Sequence, residues 1–130
     1  MSARRLRGLL LLCAVPAIVG CSSPSLISIQ ITPATETFIG VGGKAQFTAI
    51  GTYQQGDRPP TTQNITDVVT WQSNAACVAT ISSTGVATSA GCLGSSQISA
   101  SAQGFTGLKT GYAQVVVCLP SPTNAGECAS

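Results

Sequence analysis

Apolar and polar residues alternate with a period of two in several short segments, and this pattern constrains the fold more than any other feature of the chain. The alternating apolar positions are Ile27, Ile29 and Ile31; Ala45, Phe47 and Ala49; Val69 and Trp71; Ile98, Ala100 and Ala102; and Ala113, Val115 and Val117. Stretches rich in glycine, proline, asparagine and serine separate these segments, and we find no convincing helical period of 3.6 residues after residue 20. Several short strands at this spacing are typical of an all-β sandwich, which we therefore predict.

The N-terminal residues carry a different pattern. Arg4, Arg5 and Arg7 precede an apolar run over residues 8–19, and this order is typical of a signal peptide. A transmembrane helix needs about 20 apolar residues, whereas this run is shorter and contains Pro16. The run leads into Ile-Val-Gly-Cys at residues 18–21, which resembles the lipobox of bacterial lipoproteins.

The lipobox resemblance implies that residues 1–20 are a cleaved signal peptide and that Cys21 becomes a lipidated N-terminus bearing palmitate-type acyl chains. The alternative is an ordinary secretory signal, after which Cys21 is only a thiol. One acyl chain binds a membrane marginally, whereas two or three hold it effectively permanently. We therefore expect attachment to the lipid bilayer through Cys21, no cofactor apart from this covalent lipid, and a location in the cell envelope. Ser22 resembles the residue that directs such proteins to the outer membrane in bacteria with two membranes.

Removal of residues 1–20 changes the charge that bears on function. The full chain has a formal net charge of +2, but the remaining 110 residues hold three basic and four acidic side chains, a net charge of −1. We therefore expect no basic surface for nucleic acid. A chain of this length suffices for one small domain. We predict a lipidated cysteine and tether at 21–25, a β-domain at 26–118 and a tail at 119–130.

The cysteines left after lipidation indicate disulfides. Cys77, Cys92, Cys118 and Cys128 form an even set in a chain that we expect to be exported. Three pairings are possible, and we favour Cys77–Cys92 with Cys118–Cys128 because each closes a short loop; a loop of about 15 residues contributes roughly 3 kcal/mol. We expect no metal site, because zinc-binding cysteines usually lie about two to four residues apart and the chain has no histidine.

An ordered series of short motifs between residues 26 and 118 resembles a group 2 bacterial immunoglobulin-like domain. The motifs are Ile29-Gln30-Ile31-Thr32-Pro33, Gly42-Gly43, Gln46-Phe47-Thr48-Ala49, Gly51-Thr52-Tyr53, Ile65-Thr66, Val69-Thr70-Trp71-Gln72-Ser73-Asn74, Val78-Ala79-Thr80-Ile81-Ser82 and Gly85-Val86-Ala87-Thr88. The chain departs from the family at Cys77 and Cys92, where other residues are usual, and in the tail after Cys118. The resemblance implies an immunoglobulin-like β-sandwich of about seven strands.

The resemblance also assigns structural roles and an orientation. Trp71 is expected to be the core aromatic between the sheets, with Phe47 beside it, and Gly85 to supply the positive φ of a tight turn. The loops at 54–67, 82–85 and 103–109 are expected at the pole where the first strand starts. The loops at 73–76 and 90–96, the end of the last strand and the cysteines are expected at the opposite pole, which we call the far pole. Because the tether is short, the far pole should face away from the membrane.

Catalytic patterns are weak in this sequence. Without histidine, the Ser-His-Asp and Cys-His arrangements are absent, and the four acidic residues are isolated from one another. A serine beside Lys44 or Lys109 could form a dyad, but serine is too common here for proximity to indicate one. We therefore predict that the protein is not an enzyme.

Two functional interpretations remain. The first is a non-catalytic envelope lipoprotein that serves structure, adhesion or protein interaction. The second is a module that binds a glycan or another ligand, which exposed aromatic residues would favour. The candidates for such exposure are Phe38, Phe105 and Tyr112, although apolar packing also accounts for each of them.

Overall fold

A computed structural model describes residues 23–129, which form ten β-strands and no helix. The predicted signal peptide, the lipidation site Cys21 and Ser22 lie outside the described residues. The strands are β1 (Ser25–Thr32), β2 (Thr35–Ile39), β3 (Lys44–Gln46), β4 (Thr48–Gln54), β5 (Thr61–Asn64), β6 (Thr70–Ser73), β7 (Ala79–Ile81), β8 (Val86–Ser89), β9 (Gly94–Gly104) and β10 (Gly107–Cys118).

The strands form three sheets around one core, so the prediction of an all-β sandwich is confirmed. A four-stranded sheet has the order β2-β10-β9-β6, and two three-stranded sheets have the orders β1-β4-β5 and β3-β8-β7. All pairs are antiparallel except β2 with β10, which is parallel. The two three-stranded sheets are joined through β3 and β4, which are separated only by Phe47.

Three segments account for the difference between ten strands and the predicted seven. The first strand continues past Thr32 and Pro33 as β2, which pairs with β10 in another sheet. The second strand is divided into β3 and β4 at Phe47, where the chain passes from one sheet to the next. Strand β5 lies within residues 54–67, which the sequence had indicated to be a loop.

The inward faces of the three sheets share one apolar cluster, which includes Phe47, Trp71, Ile98, Val115 and Val117. Alternate residues of β9 and β10 enter this cluster, as the period of two predicts. Strands β1 and β10 approach each other closely at Gly111, where an added Cβ atom would lie 2.6 Å from the carbonyl oxygen of Ile29. Glycine at this position therefore lets the two sheets meet at backbone distance.

One predicted inward position is wrong. Ile27 is exposed, whereas its neighbour Leu26 is buried in the core. The register of β1 against β4 shifts between Leu26 and Ser28, so Ile27 occupies a β-bulge. A bulge inserts one extra residue and reverses the inward-outward alternation beyond it, which leaves Ile29 and Ile31 inward but turns Ile27 outward.

The strand directions place the two poles largely as the sequence predicted. Ser25 pairs with Gln54, and the β9–β10 turn lies beside Leu26, so the start of β1, the end of β4 and this turn share the N-terminal pole. The 82–85 turn adjoins this pole, because Thr84 lines one cleft with Asp67 and Val68, and Gly85 lies against Thr66. Gly85 has a φ of 84°, as expected for the turn.

Candidate functional site

Most of the exposed large apolar side chains fall into two groups at opposite ends of the domain. At the N-terminal pole they form what we call the base patch, which consists of Val68, Phe105 and Leu108; Val68 lines one cleft with Phe105 and another with Leu108. At the far pole they form the far-pole patch, which consists of Ile39, Val41, Leu93 and Leu119. Tyr112 is exposed between the two poles, on the outer face of the four-stranded sheet. Isolated exposed apolar residues are ordinary, but apolar patches mark surfaces that bind something.

Two disulfides lie at the far pole, and they are the pairings that the sequence favoured. Cys77–Cys92 joins the loop before β7 to the loop before β9 across a Cα–Cα distance of 5.2 Å. The Cys92 N–H also donates a 2.8 Å hydrogen bond to the Cys77 carbonyl. Cys118–Cys128 closes the tail onto the end of β10, with a Cα–Cα distance of 5.4 Å. The far pole is thus cross-linked by two disulfides.

Backbone hydrogen bonds fix the residues of the far-pole patch. Ile39 pairs with Cys118, and the Gly40 N–H donates to the Cys118 carbonyl over 2.8 Å. The buried Ser89 hydroxyl donates to the Gly40 carbonyl and accepts from the Gly43 N–H, each over 2.9 Å. Val41 therefore projects from a loop that is held on both sides by hydrogen bonds. Ser89 is a contributor that the sequence analysis missed, because a serine in a strand carries no signal for this contact.

The tail forms a compact turn beside the patch. Pro120 and Cys128 form an antiparallel bridge, and the Ala129 N–H donates to the Leu119 carbonyl over 2.9 Å. The Ser121 N–H donates to the Glu127 carbonyl over 2.8 Å. These bonds hold Leu119 exposed next to the Cys118–Cys128 disulfide.

The outer face of the four-stranded sheet is uncharged, and we call it the uncharged face. Cross-strand pairing aligns its residues in rows such as Gln72–Ser99–Tyr112, Thr70–Ser101–Thr110 and Gln97–Gln114–Thr35. None of the seven charged residues between positions 23 and 129 lies in these rows. The face therefore offers hydroxyl and amide groups, which both donate and accept hydrogen bonds, around a single aromatic ring.

Tyr112 borders a shallow cleft on this face. The cleft has a volume of about 400 Å³, and its lining includes Thr35, Asn74, Gln97, Tyr112 and Gln114. The tyrosine side chain is 59% exposed. A flat ring flanked by uncharged hydrogen-bonding groups is suited to a polar ligand that also presents C–H surface.

The three aromatic candidates have different environments. Phe105 is 87% exposed at the β9–β10 turn and Tyr112 is also exposed, whereas Phe38 is only 6% exposed and packs against Gly43. The sequence did not distinguish Phe38 because its burial depends on the parallel pairing of β2 with β10. Trp71 and Phe47 both lie in the buried core, and the Trp71 indole N–H donates to the Thr66 carbonyl.

The N-terminal pole contains an apolar cleft. This cleft has a volume of about 420 Å³, and its lining includes Ser23, Pro24, Val68 and Phe105. Phe105 stands at the tip of the β9–β10 turn, and the Lys109 ammonium donates to the Thr106 hydroxyl over 3.0 Å at the same turn. The first described residues of the chain thus line the same cleft as the most exposed aromatic side chain.

Within residues 23–129, no group of three or more histidine, cysteine, aspartate or glutamate residues is arranged to hold a metal ion. The same part of the chain contains no helix that is long and apolar enough to cross a membrane.

Comparison with known proteins gives a partial match. No protein-family model matches the chain. Over 62 residues the chain is 47% identical to Ice-binding protein 1 of Shewanella frigidimarina (strain NCIMB 400). This alignment covers 48% of the chain but 6% of the relative, so the chain spans a small part of that protein's length.

Proposed function

We propose that the protein is a lipid-anchored, non-catalytic module of the cell envelope that binds a protein partner through the far-pole patch. In this proposal Cys21 carries the acyl chains, the β-domain is a group 2 bacterial immunoglobulin-like domain, and the anchor lies in the outer membrane where the organism has two membranes. The function is adhesive or structural. The partial relative supports a modular role, because its matched segment is a small fraction of a much larger protein.

The far-pole patch is the observation that carries this proposal. Ile39, Val41, Leu93 and Leu119 are exposed on a surface fixed by two disulfides. Such a surface loses little conformational entropy on binding, because its backbone is already ordered. An apolar centre within a polar surround is also the usual composition of a protein–protein contact. The patch lies at the end of the domain opposite the N-terminus, where a partner can approach.

Site-specific photo-crosslinking in intact cells tests the proposal. A photoreactive amino acid at Val41 should give a discrete cross-linked species, and the same amino acid at Thr80, an exposed position outside the patch, should not. Leu119→Asp in the Val41-substituted protein should abolish this species, because a charge would have to be buried unpaired in the contact. Equal products from Val41 and Thr80, or products indifferent to Leu119→Asp, would contradict the proposal.

The uncharged face favours a second candidate, namely glycan binding. Tyr112 presents a ring for stacking, and the surrounding rows supply hydroxyl and amide groups without a competing charge. Binding to purified cell-wall glycan, together with the absence of a Val41 cross-link, would make this the preferred function. Binding of the same glycan by a Tyr112→Ala variant would place the glycan elsewhere.

A further inference from the structure

We infer that the N-terminal pole rests on the lipid bilayer and inserts the Phe105 turn into the interfacial region of the membrane. This inference rests on the proposed lipid anchor but goes beyond it, because an anchor alone requires only a tether. The domain would instead be held against the membrane by a second, non-covalent contact. The base patch provides that contact.

The side chains of the base patch are strongly exposed to solvent. Phe105 is the most exposed large apolar side chain among the described residues, at 87%, and Val68 and Leu108 are 74% and 65% exposed. Phe105 and Val68 line one apolar cleft, and Val68 and Leu108 line the cleft adjoining it. These residues therefore form a continuous surface at one end of the domain, where solvent exposure of apolar area is unfavourable.

The chain between Cys21 and the base patch is short, and this identifies the bilayer as the surface that the patch contacts. Ser23 and Pro24 line the same cleft as Phe105. Two residues of chain span at most about 7 Å, so the acyl chains on Cys21 begin within that distance of Ser23. The interfacial layers that separate hydrocarbon from water are of comparable thickness, roughly 5–8 Å on each side. A lipid on Cys21 therefore brings the base patch to the depth where an exposed aromatic ring is stabilised.

The charged residues around the N-terminal pole define the kind of contact that it makes with the membrane. The ionisable residues around this pole are Lys109, Arg58, Asp57 and Asp67, two basic and two acidic. Their charges balance, so anionic lipids have no net positive surface to attract. The contact should therefore depend on apolar burial and occur on zwitterionic phosphatidylcholine vesicles. It should also be insensitive to salt, unlike the binding of a polybasic surface.

Depth-dependent fluorescence quenching tests the inference with the full lipidated chain. The protein would be purified from bacterial membranes and reconstituted into phosphatidylcholine vesicles that contain nitroxide-labelled lipids. One variant carries an environment-sensitive fluorophore on Thr106→Cys, next to Phe105, and the reference carries it on Ala125→Cys in the far-pole tail. We expect quenching at position 106 to exceed quenching at position 125 several-fold, at both low and high salt.

Matched apolar substitutions separate the base patch from the tether. Phe105→Ser should reduce quenching at position 106 at least twofold, whereas Leu119→Ser, which removes an exposed apolar side chain at the far pole, should leave it unchanged. Both positions are exposed, so neither change should alter the melting temperature by more than a few degrees.

The possible failures are distinguishable. If the protein remains in the vesicles but positions 106 and 125 are quenched equally, the anchor stands and the membrane contact is refuted. If position 106 is shielded from water but not quenched by lipid, the base patch binds protein or a second copy, which also refutes it. If the protein carries no lipid and leaves the vesicles, the proposed anchor and the inference built on it both fail.

Discussion

The indole nitrogen of Trp71 donates a 2.8 Å hydrogen bond to the carbonyl oxygen of Thr66. Thr66 is itself buried, and its hydroxyl accepts from the Ala49 N–H over 3.0 Å and donates to the Asn64 side-chain oxygen over 2.6 Å. The link therefore joins the core aromatic on β6 to β4 through the short segment after β5. Trp71 is therefore buried in the core with its one side-chain polar atom hydrogen-bonded.

Substitution of Trp71 should affect folding before it affects binding. Trp71→Ala should cost about 3–5 kcal/mol because it opens a cavity in the core, a large part of the stability of a small domain. Trp71→Phe keeps an aromatic ring but leaves the buried Thr66 carbonyl without its donor, which should cost about 1–3 kcal/mol. Chemical denaturation of both variants measures the difference. A Trp71→Ala variant that kept a native transition but lost a ligand would contradict the core role.

Thr66 allows a matched pair of substitutions at one position. Thr66→Val has nearly the same shape but leaves the buried Ala49 N–H without its acceptor, so we expect a loss of about 1–3 kcal/mol. Thr66→Ser keeps the hydroxyl and removes only one methyl group, at a cost of about 1 kcal/mol. If the denaturation midpoint of Thr66→Ser is lower than that of Thr66→Val, packing of the methyl group rather than the hydrogen bond stabilises this segment.

The close approach of β10 to β1 predicts that Gly111→Ala is destabilising. The added methyl would lie 2.6 Å from the Ile29 carbonyl oxygen, and because this is backbone the two sheets must separate. We expect a cost of about 1–3 kcal/mol. Gly91→Ala is the control, since an added methyl there meets no atom within 4 Å. Similar melting temperatures for the two variants would show that the sheets adjust without strain.

Sequence alone predicted those parts of the fold in which one strand face is buried. Strands β9 and β10 alternate in their central parts, and their buried apolar residues Ile98, Ala100, Ala113, Val115 and Val117 were identified directly. Strand β5 was missed because all four of its residues are exposed, so it carries no alternation and exists through pairing with β4. Ile27 was misplaced because a bulge gives no signal in a local pattern. The far-pole patch could not be predicted either, because it assembles residues from three separate segments of the chain.

The two disulfides should differ in what they stabilise. Cys77–Cys92 links the loops that precede β7 and β9. Replacing both cysteines by alanine should therefore lower the free energy of global unfolding by about 3 kcal/mol. Cys118–Cys128 closes only the tail, so the Cys118→Ala/Cys128→Ala variant should keep nearly the same global transition. Hydrogen exchange should then show loss of protection at Ser121 and Ala129, whose amides bond within the tail. Equal global losses for both pairs would show that the tail is part of the cooperative core.

Tyr112 provides the clearest separation of the two proposed functions, because its side chain contributes to a surface and not to the core. Tyr112→Ala should change stability by no more than about 0.5 kcal/mol, as is usual for exposed positions. If a glycan stacks on the ring, the same change should weaken binding by at least tenfold in calorimetry, which corresponds to about 1.4 kcal/mol. Phe105→Ala is the matched aromatic control, because Phe105 lies at the N-terminal pole and not in the Tyr112 cleft. Equal weakening by both substitutions would indicate non-specific aromatic adsorption, and no weakening by Tyr112→Ala would exclude the uncharged face as the glycan site.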